Sequence, residues 1–150
     1  MTDQLTAPVD DRCTAAHELG HAFALRAAGL TADRLTVRRI MGGGWCTVKE
    51  DFVRADQLWD YAVGLAAGRA AEEIYRADTG LAGPWSWGTS GDEELFADLF
   101  VPREDQSYLT SGTWESALVN AHSLLTGEWE ELEPLILPLA RSGTLNGIPA

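Results

Sequence analysis

A chain of 150 residues with a net charge of −12 lacks the basic surface that nucleic-acid phosphates and anionic membranes require. Its length and ordinary apolar fraction fit one globular domain with a real core. No stretch approaches the ~20 apolar residues of a membrane span. The amino terminus carries neither a basic nor an apolar leader region, and Cys13 and Cys46 have no disulfide-framework spacing, so a reduced, cytoplasmic setting is expected.

Residues 1–9 read as a flexible arm, and 10–150 as a single domain. The pattern over 10–28 is helical, Ala-rich, free of internal proline and closed by Gly29, whose tolerance of positive φ suits a helix stop. Asp10 or Asp11 is expected to cap its start. Leu35-Thr36-Val37-Arg38-Arg39-Ile40 reads as a strand, Gly42-Gly43-Gly44 as a turn, and Trp45-Cys46-Thr47-Val48 as a second strand, giving a hairpin or small sheet. A second helix is predicted over 56–75. Gly64 and Gly68 lie four apart within it, and each glycine costs about 1 kcal/mol relative to alanine there. Close approach of another helix is the expected reason, and the same holds for Gly20 in the first helix.

Residues 78–91 form a Gly-, Pro-, Ser- and Trp-rich loop, longer than most connections. Ser90-Gly91-Asp92-Glu93 reads as a capping box opening a third helix, which reaches about residue 100 and yields before Pro102. A fourth helix is predicted over 113–125. A fifth, over 129–142, is bent or displaced near Pro134 and Pro138 and stopped at Gly143. The fold class is therefore mostly α (α+β), helical with a small hairpin or sheet. No phosphate-binding G-x-x-x-x-G-K-[ST] loop, repeat or coiled coil is present.

His17-Glu18-Leu19-Gly20-His21, an H-E-x-x-H string, falls in the middle of the first helix. Residues four apart project from one helix face, so the two imidazoles can grip one Zn²⁺ ion. Glu18 lies beside them as a general base, able to take a proton from water and return it to a leaving amine. A hydrolytic zinc site needs a third protein ligand and an open position. Asp92 at a helix start, Glu72 and Glu73 near the end of the second helix, and His122 are the candidates, and spacing alone does not rank them. Cys13 shares the histidine face, either as a thiolate near the metal or as a small packed residue. The strand 45–48 either pairs with an extended peptide by strand addition or simply covers the core.

Thr14-Ala15-Ala16-His17-Glu18-Leu19-Gly20-His21-Ala22 resembles the active-site helix of the FtsH-type zinc peptidases, peptidase family M41. Three more segments follow in the family's order: Gly68-Arg69-Ala70-Ala71-Glu72-Glu73-Ile74-Tyr75, Gly88-Thr89-Ser90-Gly91-Asp92 and Ser142-Gly143-Thr144-Leu145-Asn146-Gly147. Together they span roughly 12–147. The resemblance implies a helical peptidase domain with a small sheet beside the active-site helix. It implies His17, His21 and Asp92 as zinc ligands and Glu18 as the base. Glu72 would steady a ligand histidine, and His122 would lie on a helix face. Trp45, Cys46, Thr47 and Val48 would form the edge strand along the substrate cleft.

FtsH proteins also carry an ATPase module and usually membrane helices ahead of the peptidase, and these 150 residues hold neither. The implied activity is a zinc-dependent metalloendopeptidase acting, without ATP, on unfolded or flexible polypeptides. A separate unfoldase or a homo-oligomer is the expected partner. The loop before Asp92 is longer than the family's, and its Trp85 and Trp87 either line a pocket or anchor the loop. The rival reading is a zinc-stabilised peptide-binding module acting as an adaptor, against which the intact Glu18 speaks.

Overall fold

The computed structural model describes residues 7–37, 44–50, 53–81 and 89–149. Five helices and a small sheet make up this part: α1 (Val9–Ala27), β1 (Ala32–Val37), β2 (Gly44–Val48), α2 (Leu58–Thr79), α3 (Thr89–Asp98), α4 (Trp114–Leu132), α5 (Ile136–Ser142) and β3 (Thr144–Leu145). Short 3-10 turns, Ala55–Gln57 and Glu133–Leu135, lead into α2 and α5. The fold is mostly helical with a small antiparallel sheet, as the patterning predicts, and a third strand, β3, joins the expected pair. No helix among the described residues is long and apolar enough to cross a membrane.

α1 is the central element. Its residues from Cys13 to Leu25 are all buried, because alanines and glycine let neighbours close in from every side. α2 runs antiparallel to it, as three contacts show: Arg12 donates to the Tyr75 hydroxyl at 3.2 Å, Gly20 faces Ala67 and Ala71, and Leu25 meets Gly64. The tightest point is Gly20, where a Cβ would lie 2.3 Å from the Ala67 carbonyl oxygen and 2.6 Å from the Ala71 Cβ. The close approach expected from the helix glycines is thus present. α4 adds Ala117, Ala121 and Leu125, spaced four apart and fully buried, and α5 adds Ile136, Leu139 and Ala140.

The sheet order is β2-β1-β3. β1 pairs Leu35 with Cys46 and Thr36 with Trp45 on one side, and Leu35 with Leu145 on the other, with a bulge between Ala32 and Arg34. Ala32, Leu35 and Val37 of β1 are buried. β2 is an edge strand, its outer side unpaired among the described residues. At Gly44 it passes so close to α1 that a Cβ would lie 3.0 Å from Thr14 Cγ2 and 3.3 Å from Glu18 Cγ. The far end of α1 is fastened by Arg26, whose guanidinium donates to Glu128, Glu131 and the Pro149 carbonyl.

Several boundaries differ from those expected. Within the predicted arm, Ala7 is buried, Arg12 Nε donates to its carbonyl at 3.2 Å and Val9 is already helical; residues 1–6 lie outside the described residues. Pro8 occupies the N-cap of α1, so Asp10 and Asp11 sit in the first turn, where their charge complements the helix dipole rather than capping it. β1 begins at Ala32, three residues early, and the expected 38–40 portion lies outside the described residues, as do Gly42 and Gly43 of the turn. α2 continues to Thr79 and stops at left-handed Gly80; its last turn is exposed, so no apolar periodicity marks it. α3 starts at Thr89, which places Ser90 inside the first turn rather than at a cap, and ends at Asp98.

α4 does not break between 125 and 129. It passes through Gly127, which faces open space, and continues to buried Leu132. The break comes at Pro134, in the 3-10 turn, while Pro138 falls in the first turn of α5, where a missing N–H costs nothing. Gly29 and Gly143 adopt φ of 81° and 82° at the helix stops, as expected.

These packing facts separate the glycines. Gly20→Ala has no room against backbone and should lower the unfolding free energy by about 1–3 kcal/mol. Gly127→Ala, on an open helix face, should raise it by about 0.5–1 kcal/mol. Denaturant titration of the two variants checks both signs.

Candidate metal centre

The geometry of α1 aims both histidines of the H-E-x-x-H string at α2 and α3. His21 Nδ1 donates to the Gly64 carbonyl of α2 at 2.7 Å. His17 Nδ1 lies 3.4 Å from Glu72 Oε1, also on α2. With their Nδ1 atoms so engaged, both rings turn Nε2 toward one point. Asp92, in the first turn of α3, completes the convergence: its Oδ2 is 2.9 Å from His17 Nε2 and 3.1 Å from His21 Nε2. The donor atoms of His17, His21 and Asp92 all lie within 4.8 Å of one another.

Gly68 makes this possible. A Cβ there would sit 2.5 Å from His17 Nε2 and 2.6 Å from His21 Nε2, so only a glycine leaves space where the two nitrogens meet. Behind His17, Glu72 is fully buried and accepts from Arg76 Nε at 3.2 Å through its other oxygen. A buried carboxylate of this kind is costly without partners, and here an imidazole and a guanidinium supply them. Such a hydrogen-bonded carboxylate fixes the tautomer and direction of a ligand histidine.

Glu18 is buried on the same helix, and its Oε2 has no hydrogen-bond partner among the described residues. It faces a cavity of about 230 Å³. His17, Glu18, His21 and Asp92 form the polar part of its wall; Gly44, Cys46 and Val48, alternate residues of β2, line one side. Thr47 points away and is exposed. Leu25, Tyr61, Leu65 and Leu95 provide the apolar remainder.

Burial and charge pairing oppose each other at each of these groups. Burial pulls the His17 imidazole down, but Asp92 and Glu72 outweigh it and raise the ring to about 10. His21 is likewise raised, Asp92 prevailing over burial. Asp92, although burial opposes it, is held well below the usual carboxylate range by His21 and His17. Burial pushes the Glu18 carboxyl up, with the two histidines acting the other way. Without a metal, protons on the imidazoles therefore supply the positive charge that the carboxylate demands. Two imidazoles, one carboxylate and an unpartnered acid facing a cavity are a donor set that fits Zn²⁺.

The remaining sequence candidates lie elsewhere. His122, on α4, sits 3.5 Å from Glu73, which also pairs with Arg69 at 3.4 Å. Neither His122 nor Glu73 joins the cluster. Cys13 is fully buried, its thiol pushed up by burial, and stands outside the cluster. Cys46 lines the cavity with its thiol pushed up to about 12, chiefly by burial. Trp85 and Trp87 lie outside the described residues. Sequence reasoning missed Leu25, one turn beyond His21, and Tyr61, one turn before Gly64. Extending the histidine face by one helical step would have found the first. The Gly64 carbonyl carries no sequence signal at all. No family model and no curated protein matches this chain.

Two outcomes follow from the geometry. Gly68→Ala should push the imidazoles apart and weaken Zn²⁺ binding by ~10–100-fold, as displaced supports of ligand histidines do; competition with a fluorescent chelator reads it. Because His17 is raised above its unfolded value, its proton stabilises the metal-free fold below about 6.5 and that gain is lost as pH climbs through about 10. Zinc must displace that proton, so at pH 7 uptake should release at least one proton per ion. The apparent affinity should then rise about tenfold per pH unit between 7 and 9. Calorimetry in buffers of different ionisation enthalpy measures the release.

Proposed function

We propose that this protein is a zinc-dependent metalloendopeptidase of the FtsH type, acting on unfolded or flexible polypeptide segments. One observation carries the reading: the Nε2 atoms of His17 and His21 and the carboxylate of Asp92 converge on one point, with the unpartnered Glu18 acid beside them. The ordered resemblance to M41 segments points the same way. His17, His21 and Asp92 would hold the ion, and Glu72 would orient His17. When bound, zinc supplies Lewis acidity that makes water nucleophilic near neutral pH and polarises the scissile carbonyl.

The chain's own groups do the rest. Glu18 accepts a proton from the attacking water and passes it to the departing amine nitrogen, so the C–N bond breaks with a neutral leaving group. Before any metal binds, burial holds its carboxyl above the ordinary glutamate range. The free edge of β2, beside Glu18, would hold the substrate backbone as an added strand and bring its carbonyl to the ligands. Strand addition calls for an extended segment rather than a folded surface. Folded proteins would need a separate unfoldase to present one. Free Cys13 and Cys46 suit the reducing cytoplasm, where we locate the activity.

Zinc analysis and peptide cleavage test the reading together. Reconstituted protein should retain near-stoichiometric zinc and cleave an unstructured peptide library, with activity lost to chelator and restored by Zn²⁺. Glu18→Gln should keep the metal and lower kcat by ~10²–10⁴-fold. Protein that returns metal-free sinks the proposal. Stoichiometric zinc without cleavage would favour a zinc-stabilised peptide-binding module instead.

A further inference from the structure

The peptidase reading above leaves open what the cleft selects, and the following inference rests on that reading. Beyond His21 the cavity changes character. Leu25, the next residue on that face of α1, packs on Gly64 of α2. Tyr61 stands one turn before Gly64 on the same face of α2, with Leu65 beside it. Val48 follows Cys46 on the cavity side of β2. These four residues form an uncharged recess next to the converging ligands. An anionic side chain entering it would lose its water beside the carboxyls of Glu18 and Asp92.

Tyr61 is the largest side chain of that recess. Its half-buried ring packs against both apolar clusters of the molecule, the main core and the small group of Leu25, Ala28 and Leu30. A ring wedged between two clusters cannot swing aside as an exposed tyrosine can. Burial, then Asp92 and Cys46, push the phenol up, so the ring is uncharged at neutral pH. The whole cavity holds about 230 Å³, below the ~300–1,000 Å³ of pockets that enclose drug-sized ligands. That space must take the reacting peptide unit as well as a side chain.

We infer that Tyr61 is a specificity-determining residue of the cleft: it limits the recess to one aliphatic side chain, of leucine, valine or methionine size, on a residue flanking the scissile bond, and shuts out aromatic ones. Among the described residues of the recess, Tyr61 alone is aromatic and held from two sides. Shortening Tyr61 therefore enlarges the recess while every proposed ligand and the base are retained.

The test is cleavage of a peptide library varied around one cleavable core, with sites read by mass spectrometry, for zinc-loaded wild type, Tyr61→Phe, Tyr61→Leu and Tyr61→Ala. Wild type should prefer aliphatic over aromatic flanking residues by about tenfold or more in kcat/KM. Y61F should keep that order. Y61A and Y61L should admit phenylalanine and cut the preference about tenfold, with zinc content unchanged. Y61L retains apolar packing and decides the matter if Y61A fails to fold. Calorimetric binding of Leu- and Phe-containing peptides to Glu18→Gln protein, with and without the Tyr61 change, should give the same ordering without turnover. Chelator-sensitive cleavage with the same profile in wild type and in the shortened variants overturns the role of Tyr61 and leaves the peptidase reading standing. Zinc-loaded wild type that cleaves nothing overturns both.

Discussion

Everything in this molecule depends on how closely α1 and α2 approach. Gly20 of α1 rests on the Ala67 carbonyl and the Ala71 side chain, and Gly68 of α2 leaves the hollow into which both imidazoles turn. At the first a methyl group would force backbone apart, and at the second it would displace the imidazoles. Because the helices are antiparallel, the same approach brings Glu72 to His17 at one level and the Gly64 carbonyl to His21 at the next. The orientation of two side chains on α1 is thus set by a second helix more than forty residues along the chain. The cost of placing glycines inside helices is offset by burial of almost the whole of α1.

Around this pair the other elements divide the work. α4 and α5 cover the faces away from the ligands with alanine and leucine, while the sheet and α3 border the cavity. α3 contributes one carboxylate from its first turn, and β2 contributes alternate side chains and an edge unpaired among the described residues. Charged side chains pair beside the histidines: buried Glu72 lies between an imidazole and Arg76, and half-buried Asp92 between two imidazoles. The acidity of the chain as a whole plays no part in this; it resides on surface residues such as Glu130 and Glu133.

How much of this could be read from the sequence varies with the kind of signal. The periodicity of α1 and the H-E-x-x-H spacing are local, and both the helix and the shared face of His17 and His21 were legible. The glycines at 20, 64 and 68 announced close helix packing because their intrinsic cost demands a reason. The position of Asp92 beside the histidines is not local: it depends on how α3 returns across a connection that carries no periodicity, and only resemblance singled it out from Glu72, Glu73 and His122. Helix ends were read poorly where the last turn is exposed, as at Thr79, or where a glycine faces solvent, as at Gly127. The supports of the ligands divide in the same way. Glu72 was visible as a residue type, whereas the Gly64 carbonyl is present at every position of every chain and becomes a partner only through packing.

That last contrast has a consequence for how the centre can drift over generations. His21 is steered by a main-chain oxygen, which no point substitution can delete. His17 is steered by a carboxylate, which a single codon change removes, and that carboxylate leans in turn on Arg76. The two rings are therefore unequal in their tolerance of genetic change. One is insured by the helix itself, and the other by a chain of two side chains that must be inherited together. Divergent copies of this chain should preserve position 21's surroundings through almost any sequence at 64 that keeps the helix close, while positions 72 and 76 change in concert or not at all.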